Sequence, residues 1–218
     1  MKIITETHDL IIAVKPPELI SERTENRSGF ADLLAERNNG YIGVIHRLDK
    51  GVGGLMIYAK TPNAAKLLSQ AAQEHRLGKE YVAVTEGIPP QPEGTLTDLL
   101  YYDRGRNKVF PVTRARKGVK EAVLKYRTLG TASHPETGAP LALVSVQPVT
   151  GRTHQIRVQF ASRGLPLLGD RKYGGSGNTG ISLWCRAVAL PGTGTQPGQT
   201  YTLSPSGIPW DWFGNELQ

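Results

Sequence analysis

Arg47 and Asp49 stand two residues apart in Gly43-Val44-Ile45-His46-Arg47-Leu48-Asp49-Lys50-Gly51, charged side chains set among apolar residues and glycines. In an extended segment residues i and i+2 project to one side, so a guanidinium and a carboxylate would share a face. An aspartate so placed can act as a nucleophile or a base; equally, it can cap the turn before Gly51 by accepting backbone amides. A second segment, Thr150-Gly151-Arg152-Thr153-His154-Gln155-Ile156-Arg157-Val158, gathers Arg152, His154 and Arg157 around an expected helix start. Helix N-termini attract anions, and Arg152 would add to that preference. Arg157, further along, could reach inward to a carboxylate and hold it ionised in a partly dry site; the alternative is an ordinary surface arginine. The third segment is Lys79-Glu80-Tyr81, whose ring is either a platform for a nucleobase or a strand tyrosine packed in a core.

Other chemistries find less support. His46, His75 and His154 have no second ligand at i+2 or i+4 on a common face, so no metal site is expected. Gly51-Val52-Gly53-Gly54 lacks the Lys-Ser/Thr pair of a phosphate-binding loop and precedes a strand pattern rather than a helix. Cys185 is the single cysteine, which excludes an internal disulfide; beside Trp184 in an apolar run, it reads as core. None of these residues implies a cofactor.

Charge narrows the class of partner. Lys and Arg total 26 against 19 Asp and Glu, a net +7 with a pI near 9.6. That balance favours a polyanion, either nucleic acid or an acidic membrane surface, although a basic enzyme of another kind has the same composition. The opening residues lack the charged and apolar regions of a secretory signal, and no run of about 18 apolar residues occurs. The expectation is a cytoplasmic chain with no membrane partner. At 218 residues and 39% hydrophobic content it is long enough for a sizeable core, and one domain over residues 1–218 is the default.

The elements that must position these residues are read from periodicity and punctuation. Residues 9–14 form an apolar strand that Lys15-Pro16-Pro17 ends, since prolines cannot donate to a ladder. Phe30 to Glu36 is spaced as a short helix, and Leu55 to Ala59 as a buried strand. Thr61-Pro62 is a helix start, Ala64, Ala65, Leu67, Leu68, Ala71 and Ala72 form its apolar stripe, and Gly78 is its expected stop. Strands are expected at Lys79 to Thr85, Glu121 to Leu129, Leu141 to Gln147, Ile181 to Leu190 and Thr200 to Leu203, with a helix at Thr153 to Arg163. Strands outnumber helices, and the late ones are joined by short Gly/Pro turns suited to antiparallel pairing, so the fold class is α+β. Residues 101–120 carry Arg104, Arg106, Lys108, Arg114, Arg116, Lys117 and Lys120 with few apolar positions; they form a solvated hairpin or an arm that contacts phosphates.

Taken together and in order, the motifs resemble the RluA-type family of RNA pseudouridine synthases. The resemblance rests on a strand ending in Lys15-Pro16, on His46-Arg47-Leu48-Asp49, on Lys79-Glu80-Tyr81-Val82, and on Gly151 through Val158. It continues through Gly164, Pro166, Leu168-Gly169-Asp170 and Tyr173-Gly174. It implies a mixed, mostly antiparallel sheet flanked by helices, with a basic RNA-binding cleft, no cofactor and no metal. It further implies that Asp49 acts on a target uridine, through the uracil ring or through the ribose, so that the base detaches, rotates and rejoins through carbon 5. Tyr81 would stack on the uracil, Arg157 would pair with Asp49, and Arg47 would fill the space left by the extruded nucleotide. His46, Arg152 and His154 would support RNA binding and base flipping, the RNA being ribosomal or transfer RNA and the protein a monomer. Flipping costs a few kcal/mol of stacking, so a filler and a receiving ring are physically sensible.

The chain departs from the family pattern where Val52-Gly53-Gly54 stands for the usual Thr-Ser-Gly and removes two hydroxyls, and at Gln159 and Leu165, where histidines are common. No small N-terminal S4-like RNA-binding domain is expected ahead of the first strand. Two other readings remain: a non-catalytic RNA-binding module on the same fold, and a hydrolase with an aspartate nucleophile, which lacks a partner base in the motifs.

Overall fold

The computed structural model describes residues 1–192 and 197–217. Along the chain run β1 (Lys2–Glu6), β2 (Leu10–Lys15), α1 (Phe30–Asn38), β3 (Gly43–Val44), β4 (Gly53–Ala59), α2 (Pro62–Gln73), β5 (Gly78–Glu86), β6 (Glu93–Asp103), β7 (Lys108–Val112), β8 (Val119–Ser133), β9 (Pro140–Pro148), α3 (Gln155–Ala161), β10 (Leu183–Leu190) and β11 (Gln199–Thr202). Strands dominate, most of the described pairings are antiparallel, and β10 pairs with β4 in parallel, which is the α+β class expected. The contacts divide into two compact units, Met1–Lys79 with Trp184–Leu203, and Glu80–Leu183 with Ser204–Gln218.

In the first unit the strand order is β1-β2-β4-β10, with β3 also on β4 and β11 also on β10. Leu55 to Ala59 of β4 are entirely buried, which explains their unbroken apolar run: a strand covered on both faces has no reason to alternate. β4 lies antiparallel to β2 and parallel to β10, where Gly53 and Gly54 face Trp184 and Cys185. Both glycines are required there. A Cβ on Gly53 would lie 2.5 Å from the Trp184 ring, and one on Gly54, whose φ is +123, would lie 2.4 Å from the Cys185 carbonyl oxygen. The departure at Val52-Gly53-Gly54 is thus the place where two strands and an indole come close.

α2 begins as its sequence predicts, with the Thr61 hydroxyl accepting the Ala64 N–H at 3.1 Å and Pro62 in the first turn. Its end corrects the expected stop at Gly78. The helix closes at Gln73 because His75 enters the left-handed region at φ 56, and the amides of His75 and Arg76 fold back on Ala72 and Ala71. Gly78 instead opens β5, where a Cβ would press on Ala189 at 2.9 Å.

In the second unit β5-β9-β8-β6-β7 form an antiparallel series. β8 is 15 residues long, extends beyond the expected Glu121 to Leu129 at both ends, and absorbs a register shift between Thr128 and Gly130. α3 is shorter than expected, beginning at Gln155 rather than Thr153. Its Val158 packs with Leu100, Val109 and Ala122, so one face of β6, β7 and β8 is covered by the helix. The expected basic hairpin at residues 101–120 holds the end of β6, all of β7 and the turns on either side of it.

Candidate active site

Asp49 sits in a short irregular stretch between β3 and β4 that is tied down by the segment after β2. The buried Ser21 hydroxyl donates to the Leu48 carbonyl at 2.8 Å and accepts the Leu48 N–H at 3.0 Å, so one side chain satisfies both backbone groups beside Asp49. Gly51 N–H donates to the Pro17 carbonyl at 2.9 Å, and Val52 N–H to the Asp49 carbonyl at 3.0 Å. The half-buried Asp49 carboxylate is therefore carried on a backbone with little freedom.

Lys15 ends β2 fully buried, its Nζ donating to the carbonyls of Pro16 at 2.8 Å and Leu19 at 2.7 Å. Burial pushes its pKa down to about 8, while the negative charges of Glu18 and Asp49 pull it back up. The lysine that marks the end of the first apolar strand is thus a cation electrostatically coupled to Asp49. Its sequence position gave no hint of that coupling.

His46 and Arg47 diverge in character. His46 Nε2 accepts the Ile57 N–H at 3.1 Å, which requires the neutral imidazole, and its Nδ1 is buried with no hydrogen-bond partner among the described residues. Burial first, and the positive charge of Lys79 second, push its pKa down to about 3. At neutral pH it offers no charge to a phosphate; it fastens Ile45–Arg47 to β4. Arg47 is exposed, with its Nη1 donating to Glu22 at 2.8 Å. An exposed pair of this kind is worth at most about 1 kcal/mol, so the guanidinium can leave it readily.

In the second unit Tyr81 lies in β5 opposite Val146 of β9, with only 8% of its surface exposed. Arg157 is buried in α3 and grips Asp170 with two parallel bonds, Nε to Oδ2 at 2.6 Å and Nη2 to Oδ1 at 2.8 Å. The Tyr173 ring lies 5.1 Å from the Arg157 guanidinium, and its hydroxyl both accepts the Val109 N–H at 2.9 Å and meets His154 Nδ1 at 2.8 Å. Asp170, His154 and Tyr173 therefore fix the plane of the Arg157 guanidinium. Asp170 and Tyr173 were visible in the sequence only as parts of motifs, with no signal of this contact.

The start of this helix is shaped by its own side chains. α3 has seven residues, His154 at its N-cap is left-handed at φ 51, and the Gln155 side chain turns back to accept the Arg152 N–H at 3.0 Å. Arg152 itself is exposed, with its Nε donating to the Glu121 carbonyl at 2.8 Å. Gln159, at the second departure from the family pattern, is fully buried and donates to the Leu96 and Ala122 carbonyls and to Asp98. Its role is to join α3 to β6 and β8. Among the described residues no group of His, Cys, Asp and Glu is placed to hold a metal ion, and no helix is long and apolar enough to cross a membrane.

Comparison with known proteins gives this arrangement a family. Residues 9–162 match the family model described as RNA pseudouridylate synthase. The chain is 33% identical over 150 residues to RNA pseudouridine synthase 2, chloroplastic, of Arabidopsis thaliana, covering 67% of this chain and 34% of that protein. It is 33% identical over 132 residues to ribosomal large subunit pseudouridine synthase D of Borreliella burgdorferi, covering 61% and 38%. It thus spans little more than a third of the length of these two relatives. The solved structure of human RNA pseudouridylate synthase domain containing 1 shares the fold, with a TM-score of 0.77 over 94% of this chain and 83% of that one at 22% identity. Because the matched span runs from β2 through α3 and takes in Arg47, Asp49, Tyr81 and Arg157, the chain belongs to the RNA pseudouridylate synthase family.

Proposed function

We propose that this protein isomerises uridine to pseudouridine in RNA, with Asp49 as the catalytic carboxylate. The observation that carries the reading is the immobilised, half-buried Asp49 on a backbone held by Ser21 and Pro17 within the family-matched span. A reacting carboxylate gains most from being held in place before substrate arrives, since orientation is then not lost in the transition state. Asp49 attacks the target nucleotide at the uracil ring or the ribose, the glycosidic bond to N1 breaks, and the same base rejoins the ribose through carbon 5; the bond to Asp49 is released, and a proton leaves carbon 5 while N1 takes one up. No cofactor or metal takes part.

The remaining roles rest on the family resemblance. Tyr81 stacks on the uracil, and Arg157, its plane set by Asp170 and Tyr173, offers a positive charge to the Asp49 carboxylate. Arg47 leaves Glu22 and fills the stack when the nucleotide is extruded. Arg152 and His154 contribute to RNA binding, and His46 positions the Arg47 loop. The substrate is ribosomal or transfer RNA, in keeping with the name of the Borreliella relative, and the protein works as a cytoplasmic monomer.

The test is Asp49→Asn, an isosteric change that removes the charge. Pseudouridine formation, followed by mass spectrometry of RNA digested after incubation with the purified protein, should fall to background while RNA binding persists. Turnover at the parental rate would remove Asp49 from the mechanism.

A further inference from the structure

The face of β6, β7 and β8 away from α3 carries a feature that the proposed reaction leaves unused. Strand residues alternate between faces, and Leu100, Val109 and Ala122 point to the helix. Tyr101 pairs directly with Phe110 of β7 and with Val119 of β8, and Leu99 pairs with Val112, so these five residues share the opposite face. All five are half-buried. The Arg116 guanidinium lies 4.8 Å from the Tyr101 ring centroid, and the Lys108 ammonium stands between two rings, 5.3 Å from the centroid of Tyr173 and 5.8 Å from that of Phe110.

The charge around this face is lopsided. Between residues 101 and 121 there are seven basic side chains, Arg104, Arg106, Lys108, Arg114, Arg116, Lys117 and Lys120, against two acids, Asp103 and Glu121, the latter paired with Leu99 on this face. All the basic side chains but Lys108 are exposed. An apolar sheet face meant for a protein partner has no need of such a rim, whereas a polyanion does.

From the paired rings, the Arg116 guanidinium on one of them and the predominantly basic rim, we infer a second RNA-binding surface. It is a stacking platform on β6–β7–β8 that takes an unpaired RNA segment. Aromatic and guanidinium planes bind bases by their faces, which are available only where the RNA is unstacked; in a duplex those faces are covered. Neighbouring strands about 4.8 Å apart set the spacing of the two rings, and a flexible strand can open its bases to match while an A-form helix cannot. The rim supplies phosphate contacts, so affinity falls with salt, and the rings supply a part that does not.

This platform takes its partner class from the RNA function proposed above, but its test reads binding alone. The Asp49→Asn protein, in full length, is titrated against a labelled oligouridine and a labelled RNA hairpin of equal length, and anisotropy is followed over a range of salt. Tyr101→Ala with Phe110→Ala should weaken oligouridine binding by about tenfold or more per ring, with much less effect on the hairpin and an unchanged salt slope. Tyr101→Leu with Phe110→Leu keeps the face apolar and the sheet packed, and should show the same loss. Arg114→Gln with Lys117→Gln should weaken both RNAs and flatten the salt slope. The platform is overturned if the ring variants bind oligouridine like the parent or lose both RNAs equally. It is also overturned if sedimentation reveals self-association that the ring variants abolish, which would make the face a protein interface. Failure of the unsubstituted protein to form pseudouridine would strike the catalytic reading and leave this one standing.

Discussion

Replacing Asp170 with alanine would leave the Arg157 guanidinium without the carboxylate that grips it through two bonds of 2.6 and 2.8 Å. The side chains of Arg157 and Asp170 are 4% and 1% exposed, so water cannot take the place of the lost oxygens. Breaking a buried pair from one side costs about 3–5 kcal/mol, because the desolvated charge stays behind. For a chain of 150–250 residues each kcal/mol is worth roughly 2–4 °C, which puts the loss in melting temperature at about 6–20 °C. Circular dichroism melts of the parent and Asp170→Ala measure it directly. A control separates charge from volume: Asp170→Leu combined with Arg157→Met replaces the pair by apolar side chains and should regain most of the lost stability. That double variant should still make no pseudouridine, since Arg157 is assigned a role in the reaction. A melting temperature within about 2 °C of the parent for Asp170→Ala would refute the reasoning that the buried Arg157 charge depends on Asp170.

Gly54→Ala should be among the most damaging single changes in the first unit, since its φ of +123 disfavours a side chain and the added carbon would lie 2.4 Å from the Cys185 backbone; soluble yield and melting temperature report it, and a parental melt would contradict the close approach of β4 to β10. Ser21→Ala removes the bridge to both backbone groups of Leu48, at a cost of about 1–3 kcal/mol by chemical denaturation, and should lower kcat by freeing the Asp49 loop; unchanged stability would show that the bridge does not hold that loop. For Lys15, burial lowers the ammonium's pKa from 10.5 to about 8. Between those pH values the unfolded chain keeps a proton that the folded chain has lost, so stability rises with pH across that window by up to about 3 kcal/mol. In Lys15→Met this rise should vanish from denaturation curves taken through the window, and its persistence would assign it to another group.

What the sequence determined by itself was whatever repeats locally. The Thr61-Pro62 start and alanine stripe of α2, the apolar run of β4 and the strands at Lys79, Leu141 and Ile181 are all local patterns, and they folded where those patterns indicated. The order of short motifs was likewise enough for the family. Elements with weaker local patterns were missed: β1, at Lys2–Glu6, is mostly half-buried or exposed, and the first half of β6 mixes threonine and acid with its leucines. The stop of α2 was misread because a histidine, not the nearby glycine, takes the left-handed turn.

Only the tertiary structure decided who meets whom. Arg157 and Asp170 are 13 residues apart, Ser21 and Leu48 are 27 apart, and Lys15 acquires its depressed pKa from burial, with the distant Asp49 charge opposing it. The same holds for His46, whose motif resemblance implied only RNA binding and which becomes a neutral acceptor once Ile57 and the low-dielectric interior surround it. Long-range pairing and desolvation depend on which surfaces the folded chain brings into contact, and no window of neighbouring residues contains that information.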